Sequence, residues 1–177
     1  IFSLTGYQGI LGYRTQNDID IAADDPRRPA FDANRQAEIE AVKPVIERLK
    51  ETGWTFGSHT WGHIRLDSRP LESVQRDTVR WAEEVGSLVG PTNILFYPHG
   101  GRPDGDDSTG PVFQYLQSQG FRIFASVGIN SFSYIKKDIS AVICDRLHPD
   151  GTTLRNGKAL EWYSQFYDAR EIIDLDV

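Results

Sequence analysis

The sequence predicts an α/β fold, a parallel sheet or a distorted, irregular (β/α) barrel, because short strand-like runs alternate with amphipathic helical segments along the chain. No internal repeat or low-complexity stretch interrupts that rhythm. His59, His99 and His148 each follow a strand-like run, and in a β/α barrel such positions share the face where the loops build a site. With 177 residues and 39% apolar content, the chain is large enough for one core and too short for two ordinary domains, so residues 1–177 read as a single domain.

Ile1 to Leu4 reads as a short strand entering a Gly-rich loop. Gln16 to Asn34 is polar, and Asp24-Asp25-Pro26-Arg27-Arg28-Pro29 is rich in turn formers, which predicts a long surface loop. From Asn34, read as an N-cap, Val42, Val45, Ile46 and Leu49 fall at helical spacing, Pro44 is expected to kink the helix, and Gly53 stops it. Trp54 to Ser58 reads as a strand. After Pro70, the positions Leu71, Val74, Trp81, Val85 and Leu88 define a second amphipathic helix, closed by Gly90-Pro91. Asn93 to Tyr97 is an apolar strand-type run, followed by a loop from Pro98 to Gly110 and a helix from Pro111 to Gly120. Arg122 to Val127 and Ala141 to Asp145 read as strands, Lys158 to Tyr167 as a helix, and Ile172 to Asp176 as a last strand.

The formal charge of −6, with no stripe of Lys or Arg, argues against nucleic acid as a partner and suits a neutral or weakly charged substrate. Cys144 is the only cysteine. It allows no intrachain disulfide and no thiolate zinc cage, and reads as a small core residue. No apolar run is long enough to span a membrane. A chain that opens on Ile1 and contains no Met reads as a segment of a longer protein, so a targeting signal cannot be judged from it.

The sharpest local pattern is Ser58-His59-Thr60-Trp61-Gly62-His63, two imidazoles four residues apart. If the chain turns after the strand, or begins one helical turn, both rings can face one point at metal-ligand distance. Thr60 stands where the helical H-E-x-x-H zinc motif has Glu, so the general base of that motif is missing. Read bare, the pair is equally well two surface or packing histidines.

His59-Thr60-Trp61-Gly62-His63, with its approach Gly53 to Ser58, resembles the H-[ST]-x-x-H motif of the polysaccharide deacetylases, metal-dependent carbohydrate esterases on a distorted β/α barrel. The resemblance implies that His59 and His63 bind a divalent ion, usually zinc, together with one aspartate. The family's T-F-D-D strand, which supplies a base and a metal aspartate, has no match here. Ile1 to Gly6 instead resembles the strand that follows that motif, which places the aspartates upstream of residue 1. Asp24-Asp25 is the alternative within the chain, but it follows the wrong strand and sits in a Pro-rich loop. The family's R-x-P-Y motif aligns with Phe96-Tyr97-Pro98-His99, with Phe in place of the Arg that orients the catalytic aspartate. A backbone N–H near His99 would then help polarise the acetyl carbonyl. His99 itself is either a groove contact or a plain loop residue, and Leu147-His148 resembles the family's last motif, whose His is the general acid.

What the resemblance implies is a hydrolase removing N- or O-acetyl groups from a poly- or oligosaccharide, with His148 catalytic and Trp61, Tyr97, Pro98 and His99 lining the substrate groove. Trp61 and Phe96 stand equally as core residues on sequence grounds. The loop Gly100 to Asp107 reads as a solvated loop, with substrate tuning or cation binding as the alternative. Two other classes stay open: a carbohydrate-binding barrel without catalysis, and a metal-dependent hydrolase of another ester or amide. The substrate class favours a bacterial envelope or secreted protein; oligomeric state, metal identity and the sugar are not written in the sequence.

Overall fold

The structure is a computed structural model that describes residues 1–17, 20–128, 134–137, 139–146, 150–155, 161, 163–168 and 171. Its strands are β1 (Phe2–Leu4), β2 (Phe56–Ser58), β3 (Ile94–Phe96), β4 (Ile123–Val127), β5 (Tyr134–Lys136) and β6 (Ala141–Arg146). They form one six-stranded sheet in the order β1-β2-β3-β4-β6-β5. All neighbours pair in parallel except β5, which is antiparallel to β6. Among the described residues the sheet is mixed and open. The sequence reading missed β5, whose three residues are too few to show a period.

The helices are α1 (Arg28–Glu51), α2 (Leu71–Trp81), α3 (Ser87–Val89), α4 (Pro111–Ser118) and α5 (Gly151–Arg155). α1 starts well before Asn34. Pro29 lies in its first turn, where a missing N–H costs nothing because that donor has no intrahelical partner, so a residue read as a turn former opens the helix. Pro44 stands inside α1, which remains one element. Val42 and Ile46 are fully buried along its inner face, each contributing about 1.5–3 kcal/mol of apolar burial. The helix ends as expected at Gly53, at φ 87°. The Gly53 N–H donates to Lys50 O at 3.0 Å and the Trp54 N–H to Leu49 O at 3.0 Å, the paired bonds of a Schellman cap.

α2 runs into a π-helical turn (Ala82–Gly86) before α3, so the second expected helix is present but locally widened. Trp81, buried at its end, donates its indole N–H to Leu4 O at 2.8 Å, fastening α2 to β1. Apolar side chains gather in two clusters. One joins Leu4, Ile10 and Phe56 to Val42, Ile46, Trp81, Val85 and Val89; the other joins Leu95, Tyr97, Phe124 and Ile143 to Val74, Phe113 and Leu116. Cys144 is half-buried rather than a core residue. α5 begins at Gly151, where the sequence read a plain turn, and the expected Ile172 to Asp176 strand lies outside the described residues, as does most of the Lys158 to Tyr167 helix. Among the described residues no helix is long and apolar enough to cross a membrane.

Candidate functional site

β2 ends at Ser58, and His59 continues its ladder, donating its backbone N–H to Leu4 O at 2.9 Å. The His59 ring places Nδ1 2.9 Å from Phe96 O. A carbonyl can only accept, so Nδ1 carries the proton and Nε2 keeps its lone pair, the tautomer arrangement seen in metal-ligating histidines. Burial pushes the His59 pKa down to about 4; the Phe96 hydrogen bond opposes this, while the Arg146 charge and the two neighbouring imidazoles add to it. Burial also lowers the His63 pKa, assisted by His99 and then Arg146.

The segment from His59 to His63 is a turn, not a helix. Thr60 and His63 both occupy the left-handed region, at φ 59° and 52°, which non-glycine residues enter only where surrounding contacts hold them. Those contacts are present. Ser58 Oγ accepts the Thr60 N–H at 3.2 Å, and Thr60 Oγ1 accepts the Ile64 N–H at 3.1 Å. Asp77, projecting from α2, accepts the Trp61 N–H on one carboxylate oxygen at 2.7 Å and the Gly62 N–H on the other at 2.8 Å. A Cβ on Gly62 would stand 3.1 Å from that second oxygen, so a side chain there would press on the Asp77 carboxylate.

Asp77 escaped the sequence reading. The available signal was a carboxylate three residues after Val74 and four before Trp81, on the buried stripe of an amphipathic helix. Burial raises its pKa, against the pull of the Gly62 and Trp61 donors. Asp77→Asn is expected to destabilise the fold by about 1–3 kcal/mol, since the amide presents a donor to one of two part-buried N–H groups. Thermal unfolding of the variant measures it, and a cost near zero would mean that the turn holds itself.

β3 delivers the third imidazole. After Phe96 the chain passes through a tight turn, Pro98–Gly100, in which His99 has φ 55°. The His59 and His63 rings lie 4.8 Å apart, and the His63 and His99 rings 4.5 Å apart, both edge-on. The sequence puts His59, His99 and His148 on one face and pairs His59 with His63; the structure brings His59, His63 and His99 together, and His148 lies outside the described residues. Replacing the exposed His99 by Gly is expected to stabilise the fold by about 1 kcal/mol, by relieving the left-handed strain. Denaturant unfolding of H99G beside H99A separates relief of strain from loss of the ring.

Other expectations fare differently. Tyr97 is completely buried, its hydroxyl donating to Asp106 at 2.9 Å and its ring beside Phe124, so it has no face to offer a sugar. Pro98 is buried too. Trp61 is half-buried, with its indole N–H on Glu84 at 3.0 Å, the Arg80 guanidinium 3.4 Å above its ring and Gly6 beneath it. Its ring is fastened to α2 and the first loop. The loop Gly100 to Asp107 is solvated only in part: Asp104 and Asp107 are exposed, but Arg102 bridges the buried carboxylates of Asp106 and Asp145, and Asp104 caps α4 through the Val112 and Phe113 N–H groups. Asp25 of the Asp24-Asp25 pair is engaged by Arg27 at 2.6 Å.

Two neutral imidazoles with one tautomer fixed are suited to a divalent ion, but a catalytic zinc takes three protein ligands. Among the described residues no group of three or more His, Cys, Asp and Glu side chains is arranged to hold one. A hollow of about 560 Å³ opens at the other end of the strands, lined by Lys50, Trp54, Asn93 and Gln119 among others. It lacks a cluster of titratable groups, and the histidine edge remains the better candidate. Residues 29–123, which include His59, His63, Asp77 and His99, match the family described as polysaccharide deacetylase. A search of curated proteins found no match.

Proposed function

The chain belongs to the polysaccharide deacetylase family, and from that premise we propose that it is a metal-dependent hydrolase removing N- or O-acetyl groups from a poly- or oligosaccharide. The observation that carries the reading is the histidine cluster: His59 and His63 neutral by burial, the first with Nε2 free to ligate, at the C-terminal edge of parallel strands. The six strands are read as part of the family's distorted (β/α) barrel.

His59 and His63 would hold the ion together with an aspartate upstream of residue 1. When bound, such an ion polarises the acetyl carbonyl and lowers the pKa of its water. The chain's own residues do the rest. Phe96 O fixes the His59 ring, Asp77 holds the turn that aims His63, and a backbone N–H near His99 would receive the oxyanion. His148 donates the proton to the leaving sugar atom, and His99 borders the acetylated residue. An upstream aspartate takes the proton of water.

The test is acetate release from acetylated oligosaccharides, neutral and acidic, by the intact protein loaded with zinc. Release that fails on every acetylated sugar but proceeds on simple esters or amides supports a hydrolase of another class, and release from none supports a binding barrel.

A further inference from the structure

Trp61, between the two histidines, is held through its backbone and its ring alike. Its N–H donates to Asp77 at 2.7 Å, and its carbonyl accepts two N–H groups, from Gly6 at 2.9 Å and from Tyr7 at 3.0 Å. Its indole N–H donates to Glu84 Oε2 at 3.0 Å, the Arg80 guanidinium lies 3.4 Å over its ring, and a Cβ on Gly6 would meet the indole at 2.2 Å. Asp77, Arg80 and Glu84 follow one another at helical spacing, so a single stripe of α2 and the turn after it grips this one residue.

Glu84 holds more than the indole. The same oxygen accepts the Asn17 N–H at 3.0 Å, its other oxygen takes Arg80 Nε at 2.7 Å, and Arg80 also donates to Asn17 O at 2.6 Å. The Glu84 side chain is only 10% exposed, and it sits in the π-helical turn Ala82–Gly86, a rare geometry that clusters at functional sites. One nearly buried carboxylate therefore joins α2, the loop that follows β1 and the turn that carries His63. Thr60 and His63 are both left-handed, a conformation that persists only where the surroundings over-determine it. Asp77 fixes the backbone of that turn. Glu84 fixes the ring, and an indole held at both its ring and its backbone leaves the chain between His59 and His63 little freedom to rotate.

We propose that Glu84 is a positioning residue for the histidine pair, acting through the Trp61 ring to set the separation and angle at which His59 and His63 meet a divalent ion. It touches neither the ion nor the sugar. The metal-dependent reading of the site is its premise.

The experiment titrates the intact protein, freed of metal and then of chelator, with Co²⁺, whose visible absorption reports the number and geometry of its ligands. Thermal unfolding of each metal-free variant is measured beside it. E84A is expected to bind cobalt at least about 10-fold more weakly, the lower end of what outer partners of metal ligands contribute, and to shift the cobalt band, at a temperature where the metal-free variant is folded. E84Q keeps an oxygen for the Trp61 and Asn17 N–H groups and should recover most of both. W61F keeps a ring under Arg80 and loses only the indole donor; it should follow E84A, and it carries the test if E84A does not fold. E47A, which removes an exposed carboxylate of α1, serves as the unchanged control for net charge.

A melting point lowered in E84A and W61F, with cobalt affinity and spectrum at wild-type values, overturns the proposal and leaves the metal reading standing. Weak cobalt binding in E84A with W61F unchanged also overturns it, since Glu84 would then act by another route. Wild-type protein that takes up neither cobalt nor zinc overturns the metal reading, and the proposal with it.

Discussion

His59→Ala and His63→Ala are each expected to strip the intact protein of its divalent ion and lower deacetylation more than about 100-fold, since even the outer partners of metal ligands are worth about 10–100-fold in affinity or activity. Elemental analysis after dialysis reads the first quantity and acetate release the second. The two variants should differ in stability. His59 is held by Phe96 O and buried against β3, so its removal leaves a carbonyl without its donor and a small void. His63 sits in the left-handed region with no hydrogen bond from its ring among those described, and its loss should cost the fold less. Loss of metal in both with a stability cost in only the first would identify ligation as their common role. Metal retained in either variant would remove that histidine from the ligand set.

The parts of this site that the sequence announced are those where one chemical need fixes one residue type. His59, His63 and His99 were legible as neighbours because each lies at or just after a strand end. Their meeting place followed from a parallel sheet, which sends the loops after β2 and β3 to the same edge. The supporting residues were not legible, because their roles depend on distance in space. Asp77 belongs to an amphipathic helix and looks like any other polar residue on it until α2 is folded against the turn at Trp61 and Gly62.

The misreadings share a cause: local composition was read where tertiary contacts decide. The motif alignment puts Tyr97 in the groove, yet its ring is sunk beside Phe124 with its hydroxyl on Asp106. Pro29 reads as a turn former in a Pro-rich stretch, yet it opens α1, since proline suits the first helical turn as well as a loop. The boundaries that held, Gly53 above all, are those that require a left-handed backbone and hence a glycine.

Arg102→Met is expected to cost about 3–5 kcal/mol, the range for removing one partner from a buried ion pair. Arg102 spans two carboxylates from different parts of the chain: Asp106, in its own loop, and Asp145, at the end of β6. Both are nearly sealed from water, with side-chain exposures of 3% and 4%. Asp106 keeps the Tyr97 hydroxyl as a donor, and Lys136 donates to its backbone carbonyl, so the loop would be loosened more than lost. Arg102→Lys should recover little, because one ammonium cannot offer two carboxylates a planar fork. Pairing Arg102→Met with Asp145→Asn should recover part of the stability by removing one uncompensated charge, a coupling that a double-mutant cycle in denaturant resolves. The functional consequence follows from position. The bridge joins the loop that begins just after His99 to the strand that ends in Arg146, so its loss should also weaken turnover while His59 and His63 keep their metal. A cost below about 1 kcal/mol for R102M, against that range, would mean that packing of Pro103 and Tyr97 holds the loop and that the ion bridge is incidental.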